Sequence, residues 1–224
     1  MKKILHINSH PLFEKGTSST VQLAKHGLSL LQALPDVEIE TLNLYSKDIF
    51  IPRVDELMFS MWSKQGNNIT REEQLIFDVQ NQLIDQWIAA DYIFIYSPLH
   101  NFNVTAKFKD YVDNLMIAGR TFRYTKTGSV GLLDPAKKVV YVQSSGSDYR
   151  SDITYVNADI APHYVRTILS FMGIKHMHLI SAQGLDMSSN DRDEVISDAK
   201  REITKYIRTQ IEAPRNYRML SSEV

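Results

Sequence analysis

Lys3-Ile4-Leu5-His6-Ile7-Asn8, a polar loop from Ser9, and then Thr17-Ser18-Ser19-Thr20-Val21-Gln22-Leu23-Ala24 form the stretch from which the fold is read. The first run is apolar and bounded, the pattern of a short buried strand. The loop carries Pro11 and Gly16, and beyond it Val21, Leu23, Ala24, Leu28, Leu30 and Leu31 fall at helical spacing. One N-cap needs one hydroxyl, and here four stand in a row. Such a helix start can gather its hydroxyls and unpaired backbone N–H groups on an anion, with the positive helix end behind them.

Outward from that stretch the pattern repeats. Val37 to Leu44 alternates cleanly and reads as a strand with one polar face, which suggests a sheet edge. Residues 46–70 lack regular periodicity apart from a helical portion around Val54 to Trp62. A segment of this length is expected to be a functional lid or a disordered insert, and Trp62 either caps a site or anchors the loop. Thr70-x-x-Glu73 is a capping box that opens a helix through Trp87. Further strands are expected over Asp91–Ser97, Val139–Gln143 and His176–Ser181, with helices from Thr105, over Ala161–Met172 and over Asp191–Ile211. Phe122-Arg123-Tyr124 reads as a short strand or hairpin arm. Residues 213–224 read as a frayed tail beyond a single domain over 1–212.

Five strands alternating with helices imply an α/β protein whose parallel sheet is covered on both faces. The polar edge strand at 37–44 fits a flavodoxin-like three-layer fold with strand order 2-1-3-4-5. Ligands in such sheets sit beyond the strands' carboxyl ends, here the loops after Asn8, Ser97 and Gln143.

Composition narrows the chemistry. The 224 residues carry 25 basic and 26 acidic side chains, a net charge of −1, so no general attraction to nucleic acid or anionic membrane is expected. There is no cysteine, which excludes disulfides, thiolate nucleophiles and Cys-bound metals. No signal peptide or membrane-spanning run is evident, so a cytoplasmic location is expected and the Asn68 and Asn103 sequons read as chance. His176-x-His178 has the spacing of two metal ligands but no third partner, so no metal site is expected. Neither a G-x-x-x-x-G-K-[ST] nor a G-x-G-x-x-G is present, which argues against nucleoside-triphosphate hydrolysis and a Rossmann dinucleotide site.

The second loop, Pro98-Leu99-His100-Asn101-Phe102-Asn103, leaves its strand through a proline and can line a flat ring with backbone N–H groups and side-chain amides. The third, Ser144-Ser145-Gly146-Ser147-Asp148, permits close backbone approach. These runs, with Ser18-x-Thr20-x-x-Leu23, Lys107, Tyr111, Ala118-Gly119-x-Thr121-Phe122-Arg123-Tyr124-Thr125 and Gly131-Leu132, make the chain similar to the FMN-dependent NADH-azoreductases of the flavodoxin-like quinone reductase group. The likeness runs through Phe171-Met172-Gly173-Ile174 to the final helix. His100 stands where that family usually has Tyr, and Ser145 and Ser147 replace an Arg and a Gly.

The resemblance implies FMN, with Ser9, Ser18, Ser19 and Thr20 around its phosphate, and Pro98, Leu99, His100, Asn101, Phe102, Ser144, Ser145, Gly146 and Ser147 along its ring. It implies a homodimer and two-electron reduction of quinones and azo dyes, with NADH or NADPH as electron donor. The alternatives are an FAD-dependent quinone reductase, suggested by His10-Pro11 and the longer first loop, and a non-enzymatic flavodoxin-like electron carrier. His100 has a positioning role or a proton-transfer role in this reading. Phe122 and Tyr124 form an aromatic wall for flat substrates or merely pack the hairpin. No catalytic nucleophile or acid–base residue is called for.

Overall fold

The computed structural model describes residues 1–64, 67–150 and 157–212; Gly66 and the expected tail at 213–224 lie outside them. The main sheet contains β1 (Lys2–Asn8), β2 (Val37–Asn43), β3 (Tyr92–Pro98), β6 (Lys138–Ser144) and β7 (His176–Ala182), in the order β2-β1-β3-β6-β7, all parallel. Counting only these strands, the order is the expected 2-1-3-4-5. The middles of β3 (Tyr92–Tyr96) and β6 (Val139–Val142) are apolar because both their faces are covered, whereas β2 alternates because it forms an edge.

Helices α1 (Ser19–Gln32) and α6 (Arg192–Tyr206) cover one face, packing Leu23, Ala24, Leu31, Ile196 and Ile203 on Phe94, Tyr96, Val140 and Val142. Helices α3 (Arg71–Ala89), α4 (Ala106–Leu115) and α5 (Ile160–Met172) cover the other, packing Trp87, Phe108, Tyr111 and Val165 on Ile7, Ile95, Val139 and Tyr141. Within that core Trp87 Nε1 donates to Tyr111 Oη at 2.6 Å. The last helix differs from expectation: α6 ends at Tyr206 and continues as a π-helical turn, Ile207–Glu212. The wider turn keeps Ile207 and Ile211 in the core and lets the Gln210 carbonyl accept from Tyr92 Oη at 2.8 Å.

The described part of 46–70 is ordered. It forms α2 (Glu56–Ser63), N-capped by Asp55, with a small core of Met58, Met61 and Ile76 against α3. Trp62 Nε1 donates to Gln80 Oε1 (3.2 Å), Gln80 Nε2 to Asn114 Oδ1 (3.4 Å), and Asn114 Nδ2 to the Pro52 carbonyl (2.7 Å). Trp62 therefore anchors the segment to α3 and α4. The expected capping box also ties it down. Glu73, buried, accepts from Thr70 N (2.6 Å), Lys64 Nζ (2.7 Å) and Ser60 Oγ (2.7 Å).

The aromatic run at 122–124 is one arm of an antiparallel hairpin, β4 (Phe122–Thr125) and β5 (Gly128–Gly131). It docks on the end of α5, which Gly173 terminates in the left-handed conformation (φ 101°). The contact is backbone on backbone: a Cβ on Gly131 would lie 2.1 Å from Gly173 N and 2.3 Å from Met172 C. Gly131→Ala is expected to lower stability by about 2 kcal/mol, read as a lower urea midpoint at unchanged slope.

Two buried groups set the response to acid. Burial pushes the pKa of His6, whose Nε2 meets the Ala24 carbonyl at 3.0 Å, down from 6.5 to about 4. Lys64, with Thr70 N and Ser60, holds Glu73 down at about 2, from 4.5. In both cases the unfolded chain binds the proton first, so stability present at neutral pH is lost on acidification. We expect urea midpoints to fall between pH 6.5 and 4 through His6, and again from 4.5 toward 2 through Glu73. Glu73→Gln should abolish the lower stage and leave the upper one.

Candidate functional site at the strand ends

The sheet's hydrogen bonding continues past the strands and ties their exits together. Ser9 N donates to the Tyr96 carbonyl (2.9 Å), Leu99 N to that of Ser144 (2.8 Å), and Ser145 N to that of Ala182 (2.9 Å). Thr20 Oγ1 and Ser144 Oγ share a 2.5 Å hydrogen bond, which fastens the start of α1 to the end of β6. The result is an open cleft of about 290 Å³ lined by Thr17, Ser18, Ser19 and Thr20 from the first loop, Pro98 and Leu99 from the second, and Ser144, Ser145 and Gly146 from the third. A larger groove of about 860 Å³, with Lys138, His176, His178 and Tyr206 in its walls, opens where β6 and β7 begin. In a parallel α/β sheet the ligand end is the other one.

One end of the cleft is built by α1. Its N-cap, Ser18, makes no side-chain capping bond, and no acidic residue occupies the first turn. The orphan N–H groups of that turn thus face the cleft with uncapped positive character. His10 also lines the cleft. Its Nδ1 accepts from Leu12 N (3.0 Å), leaving Nε2 to carry the proton, and burial lowers its pKa, so the ring offers a neutral donor. This set of donors fits a phosphate monoester.

Not every expected residue reaches the cleft wall. Ser9 is buried and spends its hydroxyl on the Tyr96 carbonyl (3.2 Å), while its own carbonyl accepts from Thr105 Oγ1 (3.2 Å). It fastens β1 to β3 and α4. His100, Asn101 and Phe102 stand on a tight turn just beyond Leu99, closed by His100 N to Asn103 O (2.8 Å) and the reciprocal bond (3.0 Å). Asn101 and Phe102 are both left-handed (φ 46° and 66°), a conformation that favours glycine, and Phe102 sets its ring edge against Tyr149. Ser145 Oγ donates to the Ser147 carbonyl (2.9 Å) and holds the third loop's curve. The backbone N–H groups of Asn101, Gly146 and Ser147 donate to nothing among the described residues, so the second and third loops keep donors available to a ligand's acceptor atoms. Gln143, fully buried directly beneath the third loop, likewise has neither amide atom bonded.

Phe122 packs in the hairpin, buried against Phe171 with ring centroids 4.7 Å apart; Tyr124 is 75% exposed. Neither lines the cleft of this chain. Leu12, Leu185, Asp186 and Arg192 do line it and were not expected to. Arg192 had a signal in the sequence: it is the first residue of a helix, where a cation opposes the helix dipole and so calls for another reason.

The family described by a flavodoxin-like fold matches residues 2–207. An FMN-dependent NADH:quinone oxidoreductase 1 of Bacillus anthracis is 38% identical over 207 residues, covering 91% of this chain and 92% of the relative. A protein of the same name from Lactiplantibacillus plantarum is 37% identical over 91% of this chain and 96% of its own. Among solved structures, an FMN-dependent NADH-azoreductase from Bacillus anthracis, in complex with FMN, superposes with a TM-score of 0.85 at 37% identity, covering 92% of this chain and 97% of that one. A parallel sheet of this order, with its strand-end cleft and these relatives, leaves one conclusion: the chain belongs to the flavodoxin-like fold family.

Proposed function

We propose that this protein is an FMN-dependent NADH:quinone oxidoreductase that also reduces aromatic azo compounds. The observation that carries the reading is the meeting, in one cleft, of the uncapped hydroxyl-rich start of α1 with the Pro98-Leu99 and Ser144–Gly146 turns. Identity of 37–38% to enzymes of that name, over nine-tenths of the chain, supports it.

In this reading Ser18, Ser19 and Thr20 hold the flavin phosphate with the first-turn N–H groups of α1. The turns at Pro98–Phe102 and Ser144–Ser147 line the ring, and Ser9 supports them from below. FMN held there would supply the two-electron redox chemistry, with a reduced nicotinamide as donor and a quinone or azo compound as acceptor. The chain binds, orients and excludes water. Its unspent N–H groups at Asn101, Gly146 and Ser147 lie where they can stabilise negative charge on a ring edge, and no side chain needs to gain or lose a proton. Donor and acceptor would be served in turn by the one cleft between the three turns, so ping-pong kinetics are expected.

The proposal includes a homodimer. Phe50, Phe59, Ile160 and Val130, each at least 45% exposed, are the large apolar side chains a partner subunit could cover. Tyr124 then meets flat substrates across the subunit junction. Among the described residues no helix is long and apolar enough to cross a membrane.

Purified protein is expected to be yellow, to release FMN and not FAD on acid treatment, and to give parallel double-reciprocal lines with NADH and menadione. Failure to quench added FMN would overturn the assignment. Flavin binding without NADH turnover would make the protein an electron carrier.

A further inference from the structure

We propose that Arg192 and Asp186 form an exchangeable ion pair that makes the cleft selective for a phosphorylated flavin, Arg192 giving up Asp186 for the ligand's phosphate. This rests on the flavin reading above and adds two residues and a specificity to it. Arg192 reaches from the first turn of α6 to the first turn of α1, where its Nη2 donates to Ser19 Oγ at 2.8 Å. Its Nη1 donates to Asp186 Oδ1 (3.0 Å) and to the Leu185 carbonyl (3.2 Å). Three of five N–H bonds are thereby used. The remaining two are on Nε and Nη2, and release of Asp186 would free a third on Nη1 for an incoming phosphate.

Among the residues lining the cleft, Arg192 is the one permanent cation and Asp186 the one carboxylate. Their charges cancel while they are paired, and a dianion entering the cleft competes with Asp186 for the same guanidinium. The pair is solvent-exposed, so little holds it together. The backbone of Asp186 is pinned by its N–H to the Gly146 carbonyl (3.0 Å), and its carboxylate lies over Gly146, where a Cβ would approach Oδ2 to 2.4 Å. Asp186 therefore keeps a negative charge at the cleft edge whether paired or not, and the exchange moves the Arg192 guanidinium. Riboflavin lacks the phosphate and gains nothing from the exchange.

The test is a fluorescence titration of flavin-stripped protein with FMN and, separately, riboflavin, in wild type, Arg192→Gln, Arg192→Lys and Asp186→Asn, with urea midpoints confirming that each variant is folded. Arg192→Gln is expected to weaken FMN about tenfold or more while leaving riboflavin within about twofold. Arg192→Lys should recover only part of the loss. Asp186→Asn should tighten FMN and leave riboflavin unchanged. An unchanged FMN affinity in Arg192→Gln, or an equal loss for both flavins, would overturn the proposal. A wild-type protein that binds neither flavin would overturn the flavin reading itself, which separates the two failures.

Discussion

The structure depends on a ladder that does not stop where its strands do. Bonds from Ser9 N to Tyr96 O, from Leu99 N to Ser144 O and from Ser145 N to Ala182 O carry the parallel register one residue beyond β1, β3 and β6. Loops leaving a sheet ordinarily diverge. These are held side by side for the length of a turn, and the Thr20–Ser144 hydrogen bond adds α1 to the same seam. The cleft is what remains above the seam, so its geometry is set by backbone bonds that side-chain substitution cannot easily reach.

Electrostatically the two ends of the cleft are complementary. The α1 end offers an uncapped helix terminus, a neutral imidazole from His10 and one guanidinium; the other end offers backbone N–H groups with no bond to make. A ligand with a charged tail and a flat, acceptor-edged head satisfies both.

Much of this is legible in the sequence because the chemistry is local. β3 and β6 announce themselves through the apolar runs Tyr92–Tyr96 and Val139–Val142, and β1 through Ile4, Leu5 and Ile7 around a buried His6, since both faces are covered, and β2 betrays its edge position by alternation. Thr70 and Glu73 state a helix start in four letters. What is not legible arises across distance. The second arm of the hairpin, Gly128-Ser129-Val130-Gly131, has too little side chain to show a pattern, and it exists because β4 and α5 give it a place to lie. Arg192 joins the site only because α6 packs beside α1, a contact between residues 173 apart. Which loop N–H groups stay unspent depends on Leu99 donating to Ser144, a fact of register rather than of motif.

The turn at Asn101-Phe102 has a consequence for anyone who evolves this protein in the laboratory. Two successive left-handed residues without a glycine each cost on the order of 1–2 kcal/mol, and the second is an aromatic resting on Tyr149 beside the strand-end cleft. A selection that rewards heat tolerance alone will drift toward glycine at position 102 and relax the backbone. Where turnover depends on the Phe102 ring, selection for turnover opposes that drift, and the letter found at 102 after many generations records which pressure was stronger.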